Sequence, residues 1–223
     1  MAPLQSRTHD SQGLVRRTIV EAVRSLAALG LNRGSSGNVG VRLEHTFLVT
    51  PSGVPAEELL PDALVEMDYH GAVVVGGKPS SEWRIHRDIL VARAEIGAVV
   101  HTHSRYATTL ACLHREVPAF HYMIAAAGGE SIRCTPYALF GSQELSDLAL
   151  QALADRKACL LGNHGMLALG VDLRAAMALA VEVESLCEQY WSALQLGEPR
   201  LLSKAQMLAV MKRFKTYGQC GGN

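Results

Sequence analysis

Two histidines separated by one residue close the apolar run AVVHTH98–103. Side chains alternate across a strand, so His101 and His103 face the same way and present two ring nitrogens side by side. His164 follows a second apolar run, ACLL158–161, in a GNHG turn where backbone and side chains converge. Three neutral imidazoles and one carboxylate suit a four-coordinate divalent cation, zinc first, whose exchangeable fourth position is what a catalytic rather than structural site requires. An H-x-H pair on a strand equally fits two satisfied polar residues at a sheet edge. The third histidine behind a second buried strand favours the metal.

Glu82 is the best carboxylate to join them, because PSSE79–82 reads as a helix start with an acid in its first turn. The same placement also complements a helix dipole with no further role. His86, one turn on, is a further candidate ligand that helix packing explains equally well. Three clusters of small residues, GSSGN34–38, TPSG50–53 and PSS79–81, carry backbone N–H groups and short hydroxyls able to cradle a phosphate without a lysine. Turns use these residues for conformation alone, so each cluster by itself says little. A Schiff-base chemistry would need a desolvated lysine. Lys78, Lys157, Lys204, Lys212 and Lys215 fall in a turn, just before a strand or on the final helix, none at an obviously buried position.

The elements that must position these groups follow from periodicity. Val15, Ile19, Val23, Leu26 and Leu29 recur at helical spacing and Gly30 stands where a C-cap glycine belongs. Val39, Val41 and Leu43 alternate before FLVT47–50, which predicts a hairpin, and LVEMD64–68 with AVVV72–75 flank a YHG turn as two further β runs. Helix is expected over 81–97, strand over 98–103, helices over 105–115, 119–127 and 143–155, and a short β run at 131–135. ACLL158–161 and MLAL166–169 read as a hairpin, followed by a long helix at 172–195 and a last one from 203 to about 217. Hairpins clustered with flanking helices predict an α/β sandwich with a mostly antiparallel central sheet. One domain is expected over 1–223, with 1–11 and 219–223 as flexible tails.

Composition bounds the partners. The chain has 223 residues, 48% hydrophobic, and its 21 basic side chains balance 21 acidic ones, so neither a nucleic-acid footprint nor a polybasic membrane patch is expected. No stretch reaches the roughly 18 apolar residues of a membrane span, and MAPLQSRTHDSQG lacks a signal-peptide core, which predicts a cytoplasmic protein. Cys112, Cys134, Cys159, Cys187 and Cys220 are scattered and never paired as C-x-x-C, so they read as buried thiols.

The blocks GLNRGSSGNV30–39, LVTPSGVP48–55, PSSEWR79–84, HTH101–103, PAFHYMIAAAGG118–129, NHG163–165 and FKTYG214–218 give the chain its likeness. Over about residues 12–218 it resembles the class II aldolase and adducin head family. The resemblance implies a single α/β sandwich, usually a homotetramer with active sites between neighbours. It implies zinc on His101, His103 and His164, with Glu82 as fourth ligand and proton-transferring group. It assigns Gly37, Asn38, Ser52, Gly53, Ser80 and Ser81 to a substrate phosphate. Tyr122 would reach in from the adjacent subunit to protonate an aldehyde oxygen, and Phe140 and Tyr217 would help close the pocket. The implied activity is reversible cleavage of a ketose 1-phosphate to dihydroxyacetone phosphate and an aldehyde. AFHYMIAAAGG and FKTYG favour the branch acting on L-fuculose 1-phosphate, whose aldehyde is L-lactaldehyde. Pentulose-phosphate 4-epimerases, methylthioribulose-phosphate dehydratases and the non-catalytic adducin head are the competing branches. Thr102 stands where that branch usually has Asn, and Asn163 where another His is common.

Overall fold

The computed structural model describes residues 4–214, with side chains from Gln12 onward. Helix α1 (Leu4–Ala28) precedes the strands β1 (Asn38–Arg42), β2 (Thr46–Val49), β3 (Val65–Asp68) and β4 (Val73–Val75). Then come α2 (Trp83–Ala92), β5 (Ala98–Thr102), α3 (Arg105–Cys112), β6 (Arg133–Cys134) and α4 (Gln143–Ala152). The hairpin of β7 (Ala158–Leu161) and β8 (Gly165–Gly170) leads to α5 (Leu173–Leu196) and α6 (Lys204–Phe214). All eight strands join one sheet in the order β4-β3-β2-β1-β5-β8-β7-β6. Neighbours are antiparallel except β6 and β7, which run parallel because α4 lies between them in the chain and carries it back.

Alternation sorts the strand residues onto two covered faces. Val39, Leu48, Val100, Leu160 and Ala168 pack beneath α1, α3 and α5, while Phe47, Val49, Val99, Leu161 and Leu167 pack beneath α2 and α4. Each such side chain contributes roughly 1.5–3 kcal/mol on burial, so register is fixed by both faces at once. The consequence for β5 is direct: a slip of one residue would carry His101 from the α2 face to the opposite one.

Several boundaries differ from those periodicity predicts, each for a local reason. The helix expected over 81–97 is the shorter α2: the Glu82 N–H goes to Ser80 Oγ at 3.2 Å, and beyond Ala92 the Arg42 guanidinium of β1 takes up the Leu90 and Arg93 carbonyls. The 105–115 helix stops at Cys112, with His114 in the left-handed region at φ 50°. The segment expected as a helix at 119–127 is a 3-10 helix, Tyr122–Ala127, where His121 Nδ1 accepts from the Met123 N–H. Val73, Val74 and Val75 are exposed because β4 is an edge strand. Leu29, expected in the apolar stripe of α1, lies past its end and is exposed. Cys112 is exposed rather than buried, and Cys220 lies outside the described residues. Of the expected tails, 219–223 lies outside them, whereas residues 4–11 of the expected tail at 1–11 belong to α1.

The start of α3 is held from another helix. Ser104 Oγ and the N–H groups of Tyr106 and Ala107 donate to the Glu184 carboxylate of α5 at 2.7, 2.8 and 2.9 Å. A carboxylate there satisfies backbone donors that the first helical turn cannot pair internally, and it matches the sign of the helix dipole. The His101–His103 end of β5 is thereby anchored on the α5 side.

Candidate active site

Three strand ends and one helix start meet at one end of the interior strands β5, β8 and β7. His101 is the fourth residue of β5, His103 follows its end, His164 lies in the β7–β8 turn, and Glu82 precedes α2. The ligand atoms of all four lie within 4.8 Å of one another. The three rings stand edge to face with centroids 4.8, 4.8 and 4.9 Å apart. His101 Nδ1 donates to the Met166 carbonyl of β8 at 2.9 Å, which fixes the tautomer and leaves Nε2 facing the cluster.

Donor chemistry and spacing both fit a divalent metal ion. Tetrahedral ligand bonds of about 2.0–2.2 Å place donor atoms about 3.3–3.6 Å apart. His101 Nε2 lies 3.0 Å from His103 Nε2 and 3.2 Å from Glu82 Oε2, and His164 Nε2 lies 3.3 Å from Glu82 Oε1. Glu82 Oε1 is buried and takes no hydrogen bond among the described residues, a costly state that a cation relieves.

Electrostatics support the same reading. Burial alone would raise the Glu82 carboxyl, but the charge and hydrogen bond of His101, the charge of His164 and the Asn38 amide hold it well below the ordinary carboxylate range. Burial opposes a charge on His101, yet Glu82 and the Met166 carbonyl together raise its pKa. His103 and His164 are pushed down to about 4, by burial first and then by the His101 charge. At neutral pH His103 and His164 are thus uncharged, each with one bare ring nitrogen available to a metal.

Glu82, His103 and His164 of the cluster line a cleft of about 350 Å³, while His101 is buried. Of the residues expected on sequence grounds, Gly37, Asn38, Ser52, Gly53, Ser80, Ser81, Glu82, His103, His164 and Phe140 line it. The three small-residue clusters, far apart in sequence, therefore converge. Not all their N–H groups are free: Ser52 donates to the Lys78 carbonyl and Ser80 to that of Thr50, whereas those of Gly37, Gly53 and Ser81 have no partner among the described residues. Gly37 has φ 72°, and a Cβ there would lie 2.3 Å from the Asn32 amide. Asn32 in turn accepts from the His103 N–H at 3.0 Å, tying the 33–37 loop to the histidine strand.

Tyr122 does not line the cleft of its own chain; its ring packs on His121 and Phe214 at centroid distances of 4.8 and 6.4 Å. Tyr217 lies outside the described residues. His86 is not in the cluster: its Nε2 bonds to Asn38 Oδ1 behind Glu82. Sequence reasoning missed the structural part of Asn32 and the wall formed by Tyr137 and Ala138. Asn32 carried a signal, an amide in a Gly-Ser loop, whereas nothing in the spacing singled out Tyr137.

Such a cluster at the floor of a cleft, on an α/β sheet with helices on both faces, is the arrangement of a metal-dependent enzyme. Residues 17–191 match the family described as Class II Aldolase and Adducin N-terminal domain, and the chain belongs to that family as a class II aldolase, a lyase. It is 52% identical over 204 residues to a 5-methylthioribulose-1-phosphate/5-deoxyribulose-1-phosphate aldolase of Rhodospirillum rubrum, covering 92% of each chain. It is 45% identical over 203 residues to the L-fuculose phosphate aldolase of Escherichia coli K12, covering 91% of this chain and 94% of that one. A solved L-fuculose 1-phosphate aldolase superposes with a TM-score of 0.88 at 38% identity, over 90% of this chain and 96% of that one. The lead that sequence blocks gave to the fuculose branch is therefore not exclusive, since a relative named for other sugar phosphates is more similar than the Escherichia coli enzyme.

Proposed function

We propose that the protein is a zinc-dependent aldolase that cleaves a ketose 1-phosphate between C3 and C4. The reading rests on one observation: Glu82, His101, His103 and His164 converge within 4.8 Å beside glycine and serine loops that offer anion donors. Cleavage at that bond releases carbons 1–3 as dihydroxyacetone phosphate and the remainder as an aldehyde. A divalent ion held by these four residues supplies the Lewis acidity that the charge left by a broken carbon–carbon bond requires.

The chain's own groups do the rest. Gly37, Gly53 and Ser81 N–H groups and the hydroxyls of Ser52, Ser80 and Ser81 hold the phosphate, which turns binding energy into orientation. Glu82 moves the proton at C3, removing it in the aldol direction and returning it in cleavage. Tyr122 of a neighbouring copy protonates the aldehyde oxygen in the aldol direction, a role that requires assembly because this tyrosine does not line its own cleft. The homotetramer expected from the resemblance would supply that neighbour.

The aldehyde half meets Tyr137, Ala138 and Phe140, an apolar part of the lining that suits a methyl or methylthio end. With the 52% identity to the Rhodospirillum rubrum relative, this favours 5-methylthioribulose 1-phosphate and 5-deoxyribulose 1-phosphate. L-fuculose 1-phosphate, whose aldehyde also ends in a methyl group, is the second reading, favoured by the solved aldolase that superposes. A Schiff-base route finds no support in Lys78, Lys157, Lys204 or Lys212, all exposed.

The test is an assay of the three ketose 1-phosphates with and without a chelator. We expect dihydroxyacetone phosphate from all three, a higher kcat/KM for the two pentulose phosphates, full loss on chelation and recovery with zinc. Chelator-resistant cleavage, or trapping of substrate by borohydride, would overturn the metal reading, and a fuculose preference would overturn the substrate ranking.

A further inference from the structure

We infer that His86 is a positioning residue which, through the Asn38 amide, sets the orientation of the Glu82 carboxylate. The inference rests on the active-site reading of Glu82 and deepens it. His86 is fully buried on the inner side of α2, one turn beyond Glu82. Its Nε2 bonds to Asn38 Oδ1, and Asn38 Nδ2 donates to Glu82 Oε2 at 2.9 Å. An amide oxygen only accepts, so Nε2 carries the ring hydrogen. Nδ1, buried and without a hydrogen-bond partner among the described residues, is the bare nitrogen.

The ring therefore dictates which way the amide points. Turned over, the amide would set its N–H2 against the imidazole N–H and its oxygen against the Glu82 carboxylate, two repulsive contacts in place of two hydrogen bonds. With Oε2 held by Asn38 and lying 3.2 Å from His101 Nε2, Oε1 is directed to His164 and the rest of the cluster.

Gly40 supplies an independent sign that the ring must sit there. It lies in the middle of β1, two residues from Asn38 on the same face, and its φ is not in the positive range that would itself require glycine. A Cβ at Gly40 would come 2.4 Å from His86 Nδ1 and 2.7 Å from Cγ. A strand interior gives up side-chain packing when it carries glycine. What it gains at Gly40 is room for the imidazole.

Groups that orient metal ligands from behind change metal affinity or activity about 10–100-fold when removed. His86 acts through one intermediate, so the low end is expected. The test compares His86→Met, which keeps bulk and loses the donor, with His86→Gln, whose amide can still donate to Asn38. Cobalt(II) titration of metal-stripped protein reads the site without turnover. For His86→Met we expect about tenfold weaker cobalt binding, a changed visible spectrum and about tenfold lower kcat with KM within about threefold. His86→Gln should recover each quantity to within about threefold, and Gly40→Ala, which displaces the ring, should behave like His86→Met. Parental cobalt affinity and spectrum in His86→Met, or equal impairment in both His86 variants, would overturn the role.

A measurement on unaltered protein decides the question if the variants do not fold. Long-range proton–nitrogen correlation of histidine-labelled protein at neutral pH should show His86 as the Nε2–H tautomer, and an Nδ1–H form would overturn the inference. Should no ketose phosphate be cleaved at all, the activity reading falls while cobalt affinity and tautomer still test His86.

Discussion

Glu82 carries two demands on one carboxylate. It stays ionised against its burial because His101, His164 and Asn38 outweigh the desolvation, and it lines the cleft where, in the proposed reaction, a sugar carbon would exchange a proton. Replacing Glu82 by Gln keeps the shape and removes the basicity, so kcat should fall by about 10²–10⁴ in a steady-state assay. The histidines give a pH signature in the metal-free protein. Burial first, and then the His101 charge, push His86 to about 3 and His103 and His164 to about 4. Unfolded histidine titrates near 6.5, so between pH 6.5 and 4 the unfolded chain binds more protons at these three sites, and stability drops as pH falls through that window. His101 is raised and works the other way: its contribution is complete below about 6.5 and lost as pH rises through its folded value. Three sites against one predict a lower urea midpoint at pH 5 than at pH 7, and an equal or higher midpoint at pH 5 would contradict this assignment of protons.

At the scale of elements, the site depends on where strands stop. β5 delivers His101 inside the sheet and His103 just past it, and α3 must start immediately afterwards to hold that exit in place. Glu184 secures the start from α5 with three accepted hydrogen bonds. Glu184→Ala should cost about 2 kcal/mol, since buried donors left unpaired cost about 1–3 kcal/mol. For a chain of this length that is a loss of roughly 4–8 °C in Tm. Calorimetry checks the loss, and a Tm within about 1 °C of the parent would show the cap to be dispensable. The hairpins, the long C-terminal helix and the apolar strands were legible because each has a clean period. The limits of α2 and α3 were not, because Arg42 from β1 and the left-handed His114 end them, and neither is encoded in a local hydrophobic pattern.

For the whole molecule, the proposed role of Tyr122 requires shared sites. This tyrosine is 49% exposed, packed on His121 and Phe214 and absent from the lining of its own cleft, so a role in the reaction requires a second copy. Tyr122→Phe and Glu82→Gln proteins, each impaired alone, should regain activity when unfolded together and reassembled, because some mixed sites then hold both native groups. Mixtures no more active than their parents would place Tyr122 outside the reaction.

The amino-acid sequence by itself determined the α/β class and the sheet's mostly antiparallel character, since periodicity is a local property, and it offered Glu82, His101, His103 and His164 as candidate ligands, with the family resemblance favouring Glu82 over a helix-dipole role. Only the tertiary structure decided that three glycine and serine clusters share one cleft, that the Asn38 amide joins His86 to Glu82, and that Tyr122 stays away from its own cluster. Those outcomes depend on pairings between residues about 11 to 63 positions apart, where two-sided burial selects one register and a linear pattern carries no distance.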